Sequence, residues 1–260
     1  MNLPQELVDE IINNIPPNDR RSLRNCSLVA RSWLRPSRKR LFEAIEIHQR
    51  SLEPWLHNIS PTNLELLWHV HQLSYGGYAQ DALQPIHRAL CNYFPSLSQL
   101  RHLTLIFSYV RSHPREMQLF TAFQHTLSAI SLKNCHVTTN ASVVFINYFP
   151  NLAYLYLHGV DYIQESGPMP PLSRTFLRKP YVSMCHEGTM NLLVELSKLR
   201  LRFGEVVISK FLPQPTWPHF SKRIVDIFGE RVECLRILGG SEGVYSQRQT
   251  GTWSRSFRRS

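Results

Sequence analysis

The chain has 260 residues, 43% of them hydrophobic and 18% charged, with a formal net charge of +10 at pH 7 and a mean hydropathy of −0.24. That length supports one large or two modest domains with a real core, and the composition is that of a globular protein rather than a disordered one. No run approaches the roughly 18 apolar residues of a bilayer crossing, and the opening MNLPQELVDE puts acids where a secretory leader carries bases; the expectation is a cytoplasmic or nuclear protein without a membrane partner.

The first predicted element is a short helix. Leu3, Leu7, Ile11 and Ile15 recur every four residues, with Val8 and Ile12 widening the stripe, which is the periodicity of a helix with one apolar face. Pro4 suits its first turn, Glu6, Asp9 and Glu10 favour its positive end, and Pro16-Pro17 stops it. Asn18 or Asp19 can cap a second helix carrying Leu23 and Cys26, and a third apolar segment holds Leu28, Val29, Trp33 and Leu34. Three helices of about ten residues enclose too little core to be very stable alone, so they need a surface to dock on.

Taken in order, Leu3-Pro4-x-Glu6-Leu7, Ile11-Ile12, Ile15-Pro16-Pro17-x-Asp19, Leu23 and Cys26-Ser27-Leu28-Val29-Ala30-Arg31-x-Trp33, followed by Leu41-Phe42, resemble the F-box, in the wording of F-box-like proteins of fungi. The match departs from the family at Arg20-Arg21, where members usually carry an apolar residue. The resemblance implies a three-helix motif over residues 1–47 that binds the Skp-type adaptor of a cullin-RING ubiquitin ligase. Its contact face would comprise Leu3, Pro4, Leu7, Ile11, Ile12, Leu28, Val29 and Trp33. Each fully buried Leu or Ile contributes roughly 1.5–3 kcal/mol to such a contact, and Trp is a usual interface anchor. The competing reading is that the same residues only form an internal helical core.

Residues 48–240 show internal repetition. Asn92-Tyr93-Phe94-Pro95-Ser96-Leu97 returns as Asn147-Tyr148-Phe149-Pro150-Asn151-Leu152. Strand-like pieces follow the pattern L-x-x-L-x-L-x-x-(N/C)-x-L of leucine-rich repeats at Leu100-x-x-Leu103-x-Leu105, at Leu127-x-x-Ile130-x-Leu132-x-x-Cys135-x-Val137, and at Leu152-x-x-Leu155-x-Leu157. Weaker copies are Val70-x-x-Leu73-x-Tyr75, Leu196-x-x-Leu199-x-Leu201 or a strand at Val206-Val207-Ile208, and Val232-x-x-Leu235-x-Ile237. Helix-compatible segments lie between the clear strands at Pro85 to Tyr93, Arg115 to Phe123 and Ala141 to Tyr148.

The expected fold class is therefore α/β, a small helical motif followed by a short, irregular leucine-rich-repeat-like array of parallel strands and helices. Leu103, Leu105, Ile130, Leu132, Leu155 and Leu157 should point inward, and Thr104, Ser131 and Tyr156 outward. Exposed positions on such a sheet serve recognition, and His102, Tyr156 and His158 are the candidates for binding a protein substrate. The stretch from Ser166 to Pro180 reads as a loop insertion, being rich in Pro and Gly. Gly239-Gly240-x-x-Gly243 reads as a turn, and residues 241–260 as a basic tail without fixed structure. With no amphipathic helix to cover the last repeat, the array has the pattern of a short or truncated one.

The charge is concentrated. Arg20 to Arg40 holds eight bases and no acid, and Arg248 to Ser260 holds four and no acid; the rest of the chain has slightly more acids than bases. The first cluster suits a solvated helical face beside an acidic protein partner, and the pattern argues against a nucleic-acid groove.

Catalytic signals are weak. Cys26, Cys91, Cys135, Cys185 and Cys234 stand singly, which fits reduced thiols better than a disulfide framework or a zinc knuckle. The adjacent pairs Cys135-His136 and Cys185-His186 make poor dyads, because neighbours on a strand point to opposite faces. Cys135 fits the buried ladder residue of its repeat. His69-x-His71 lacks a third ligand at usable spacing. The reading is a protein without enzymatic activity, cofactor or metal: a receptor subunit whose F-box binds the adaptor and whose repeats bind a substrate. Its alternatives are a repeat scaffold outside any ligase and a basic nucleic-acid binder.

Overall fold

The computed structural model describes residues 3–16, 19–48, 51, 54, 61–76, 93–106, 109–110, 120–163, 171, 176–177, 179–183, 187–198, 202–209, 232–238, 244–248 and 253–256. Within them the chain is α/β, with helices around a sheet built mainly of parallel strands.

Three helices come first: α1 (Gln5–Asn14), α2 (Arg20–Cys26) and α3 (Arg31–Glu43). Pro4 stands just before α1 rather than inside it, and its carbonyl accepts from the Val8 amide at 3.2 Å. Of the two expected caps it is Asp19 that starts α2, its carboxylate accepting from the Ser22 amide at 3.1 Å. That bond, with the nearby Arg21 charge, holds the Asp19 carboxyl below the usual carboxylate range. Leu28 and Val29 lie in the turn between α2 and α3 rather than in the third helix.

Helix α3 contains Pro36, which has no amide to give Ser32 one turn back. The Ser32 carbonyl instead accepts from Gln5 Nε2 at 3.3 Å, tying the start of α1 to the start of α3. Val8, Ile12 and Leu23 form the small core of this motif, with Ile15, Cys26, Trp33 and Leu41 packed against it. Phe42, the very next residue, packs against the large core of the rest of the chain. One helix thus touches both cores.

Directly after α3 comes β1 (Ala44–His48), then β2 (Gln72–Gly76), β3 (His102–Ile106), β4 (Tyr109–Val110), β5 (Ala129–Lys133), β6 (His136–Thr138), β7 (Tyr154–His158) and β8 (Asp161–Ile163). Further on lie β9 (Phe176–Leu177), β10 (Lys179–Ser183), β11 (Arg202–Ser209), β12 (Val232–Leu238), β13 (Val244–Arg248) and β14 (Trp253–Ser256). The large sheet runs β1-β2-β3-β5-β7-β10-β11-β12-β13-β14, with β9 also on β11, and a smaller sheet runs β4-β6-β8. Pairing is parallel up to β12 and antiparallel for the last two strands.

Strands β3, β5 and β7 begin with the same backbone junction. The amides of Arg101 and His102 both donate to the His71 carbonyl, those of Ser128 and Ala129 to Arg101, and those of Ala153 and Tyr154 to Ser128, at 2.8–3.0 Å. The strands end alike too. Asn134 after β5 and Gly159 after β7 have φ of 52° and 61°, the left-handed turn that lets the chain leave one sheet and start a strand of the other. The Asn134 amide donates to the His158 carbonyl at 2.7 Å.

The six leucine and isoleucine positions predicted to point inward are buried, as are Phe120, Phe123, Phe145 and Phe149, whose ring centroids lie 5.6–6.4 Å apart beneath the sheet. Cys135 is buried, its thiol 3.4 Å from the Leu105 carbonyl. The helix expected at Ala141 to Tyr148 is α4 (Thr139–Tyr148), capped by Thr138 Oγ1, which accepts from the Ala141 amide at 3.1 Å.

Other expectations need correction. Thr104 and Ser131, predicted to face out, are only 6% and 4% exposed; the His102 ring of the neighbouring strand reaches Ser131 and shares a hydrogen bond with it. Where a helix was expected up to Phe123, a 3-10 turn runs Thr121–Phe123; residues 115–119 and 85–92 lie outside those described. Leu196 belongs to α5 (Glu187–Lys198), and the strand is at Arg202–Ser209, the second of the two options.

The end of the segment read as a Pro-rich insertion is strand, since Pro180 in β10 pairs with Leu155 of β7. A proline removes one ladder donor, and Tyr181, Val182 and Ser183 keep theirs and hold β10 between β7 and β11. The segment read as an unstructured tail carries β13 and β14, whose alternating Val-Tyr-Ser-Gln-Arg and Trp-Ser-Arg-Ser suit an antiparallel pair. The glycine turn proposed at 239–243 lies outside the described residues.

Candidate binding surfaces

Two surfaces stand out. The first is apolar and lies on the helical motif. The large hydrophobic side chains left exposed among the described residues are Leu3, Leu7, Ile11, Leu28, Val29 and Trp68. The first five are residues that the sequence assigned to adaptor contact. Leu7 and Ile11 sit one turn apart on α1, and Leu3 precedes them; Val8 and Ile12, one position further round the helix, turn inward to meet Leu23. The Gln5 to Ser32 hydrogen bond brings the start of α1 beside the start of α3, so the 28–29 turn lies at the same end of the motif.

Two of the eight assigned residues behave differently. Ile12 is 1% exposed and belongs to the internal core, not to the face. Trp33 is half-buried against that core, so it presents only part of its ring. Pro4 is exposed, as the other five are. The bases of the first cluster lie on α2 and α3: Arg20, Arg21, Arg24, Arg31, Arg35, Arg38 and Lys39 are exposed, while Arg40 pairs with Glu43. Burial, aided by the charges of Lys39, His71 and Arg35, holds the His69 imidazole below its usual pKa, so the basic surface of α3 reaches the 3-10 segment Pro61–His69.

The second surface lies on the large sheet. Strand register puts His102, Ser131, Tyr154, Tyr156 and Tyr181 on one face of β3, β5, β7 and β10. Ala129 and Ser131 of β5 are small enough for the His102 ring to lean across that strand and stack on Tyr156, centroids 5.6 Å apart and planes 24° apart. His102 Nε2 and Ser131 Oγ share a hydrogen bond of 2.7 Å. Tyr156 is also 6.4 Å from Tyr154 and 5.8 Å from Tyr181. Burial first, and the Lys133 charge second, push the His102 pKa below its usual value, so the ring is neutral at pH 7.

Of the three residues predicted for substrate contact, His102 and Tyr156 stack on each other. His158, half-buried at the end of β7, lies on the same face in register with Lys133, and its carbonyl accepts from the Asn134 amide. Sequence reasoning missed two members of the band. Tyr154 was legible from the alternation Tyr-Leu-Tyr-Leu-His, which puts it on the face of Tyr156. Tyr181 was hidden because its strand follows a Pro-rich stretch.

Among the described residues no helix is long and apolar enough to cross a membrane. No protein-family model matches the chain, and no curated protein matches it.

Proposed function

We propose that the chain is the substrate-recognition subunit of an SCF-type cullin-RING ubiquitin ligase, a receptor of the F-box and leucine-rich-repeat kind. The helical motif captures the Skp-type adaptor and the sheet face takes a protein substrate. The observation that carries this reading is the division of labour in the first helix. Val8 and Ile12 close the motif's own core, while Leu3, Leu7 and Ile11 remain 42–49% exposed, Leu28 83% and Val29 63%. A motif folded only for itself gains nothing by leaving five large aliphatic side chains in water, and such a patch marks a protein contact. The repeated strand junctions and left-handed corners support the repeat part of the reading.

A receptor of this kind breaks no bonds. It contributes proximity, holding a substrate lysine near the ubiquitin-charged enzyme so that the encounter becomes effectively intramolecular. The test is co-purification with a Skp-type adaptor. Wild type should retain it at micromolar concentration, and Leu7→Asp with Leu28→Asp should abolish retention while leaving the thermal melt unchanged, since both side chains are exposed. Failure of wild type to bind the adaptor would move the chain to a repeat scaffold outside any ligase.

A further inference from the structure

Trp33 and Leu41 of α3 pack on the core of the helical motif, and Ser37 between them is buried. The helical period puts Arg31, Arg35, Arg38 and Lys39 on the opposite side of α3, and all four are exposed. Their side chains form no hydrogen bond or ion pair among the described residues; of the bases on this helix only Arg40 has one, to Glu43. Arg31, Arg35 and Lys39 follow one another at four-residue spacing, where like charges weaken a helix. Arg31 also stands in a first turn without an acid, where a cation opposes the helix dipole. The row destabilises α3 and, among the described residues, ties it to no other element.

This row runs to the 3-10 segment Pro61–His69. Burial first, then the charges of Lys39, His71 and Arg35, hold the His69 imidazole below its usual pKa, which places the two α3 bases within electrostatic reach of it. Trp68, the residue before, is 61% exposed, although Leu67 is buried and Leu64 packs against the large core. Three residues per turn bring Glu65 to the same side as Trp68, and it too is exposed. The fold thus sets an exposed ring at the end of the bases, which the sequence pattern of that cluster lacks.

An indole offers its face to any flat ring, and base-on-aromatic stacking beside a basic row is how single strands are held. Guanidinium groups grip phosphate in two places. Glu65 decides between polyanions. Beside Trp68 its carboxylate repels an acidic peptide, whereas it accepts from an exocyclic amine such as that of cytosine.

We infer that the outer side of α3 and Trp68 form a site for single-stranded nucleic acid, with phosphates on Arg31, Arg35, Arg38 and Lys39, one base on the indole and its amino group at Glu65. This is a second binding activity and does not rest on the receptor reading.

The experiment uses the full chain and short fluorescent single strands, one of deoxycytidine and one of thymidine, at neutral pH. Both should bind with a micromolar midpoint at low salt, cytidine several-fold tighter. The log–log salt slope should be about −2 to −3, roughly −0.7 for each phosphate neutralised. Trp68→Ala, and Arg35→Glu with Lys39→Glu, should each weaken binding about tenfold or more. Thermal melts and adaptor capture should not move, since these side chains are exposed and lie away from α1. Glu65→Gln should erase the preference for cytidine while both strands stay bound, an outcome that a folding defect does not produce. Undiminished binding by Trp68→Ala, or a slope near zero, would overturn the inference. So would a polyglutamate peptide that binds as tightly as the strands and loses as much on Trp68→Ala, which would hand the surface to an acidic protein. Loss of adaptor capture by wild type leaves this site standing, and loss of strand binding leaves the receptor reading standing.

Discussion

Ser37 shows how a single side chain can sit in the wrong company. It is fully buried in α3, and its hydroxyl has no hydrogen-bond partner among the described residues. An unsatisfied buried hydroxyl costs about 1–3 kcal/mol, so Ser37→Ala should raise the urea midpoint of the chain rather than lower it. Gly159 is the opposite case. Its φ of 61° is one that side-chain-bearing residues rarely adopt, and a Cβ there would lie 2.4 Å from Asn134 Oδ1. Gly159→Ala should cost about 1–3 kcal/mol, visible as a lower melting temperature.

His102 gives a pH signature. Above the ordinary histidine value of 6.5 the ring is neutral in both folded and unfolded chains and contributes no slope. Below it the unfolded chain takes up a proton that the folded one resists, because the folded pKa is lowered. Stability therefore declines as pH falls from about 6.5 towards the folded value. His102→Gln should flatten that part of the curve, measured as urea midpoints at about pH 7.5 and pH 5.5.

The elements are short, and what holds each in place comes from the next one. Strand β5 has β3 on one side and β7 on the other, with the same double-amide junction at both steps. Beneath the sheet the four phenylalanines come from two places, Phe120 and Phe123 from around a 3-10 turn and Phe145 and Phe149 from α4 and its end. Phe123 stacks on Phe149 with planes 3° apart. Removing either ring empties a site that neighbouring elements share, so Phe123→Ala should cost about 3–5 kcal/mol in urea unfolding and loosen α4 as well. The returning Asn-Tyr-Phe-Pro of the sequence marks one side of this arrangement: Phe149 is its buried ring, and Tyr148, beside it, shares a hydrogen bond of 2.8 Å with Thr121.

In the whole molecule, α3 couples the helical motif to the sheet. Leu41 faces one core and Phe42 the other, Arg20 Nη2 donates to the Ala44 carbonyl at 3.1 Å, and β1 follows α3 without a break. This answers the need for a docking surface that three small helices have: their core rests on the larger one. It also leaves the outer side of α1 uncovered, so the proposed adaptor capture and sheet-face binding would occupy separate parts of the chain and should respond to separate substitutions.

The exposure of Leu3, Leu7, Ile11, Leu28 and Val29 was expected only from the resemblance to the F-box. Periodicity alone determined the three helices, the inward residues of β3, β5 and β7 and the burial of Cys135. Each of these depends on spacing along one segment, and spacing is written in the sequence. The inward turn of Ile12, the covering of Thr104 and Ser131, the promotion of Pro180 and residues 244–256 into strands and the ring band itself were decided by the tertiary structure. In each case the deciding quantity is the size or pairing of a side chain or strand far away in sequence: Leu23 beneath Ile12, His102 over Ser131, β7 and β11 on either side of β10. Local pattern carries no information about such neighbours until the chain has brought them together.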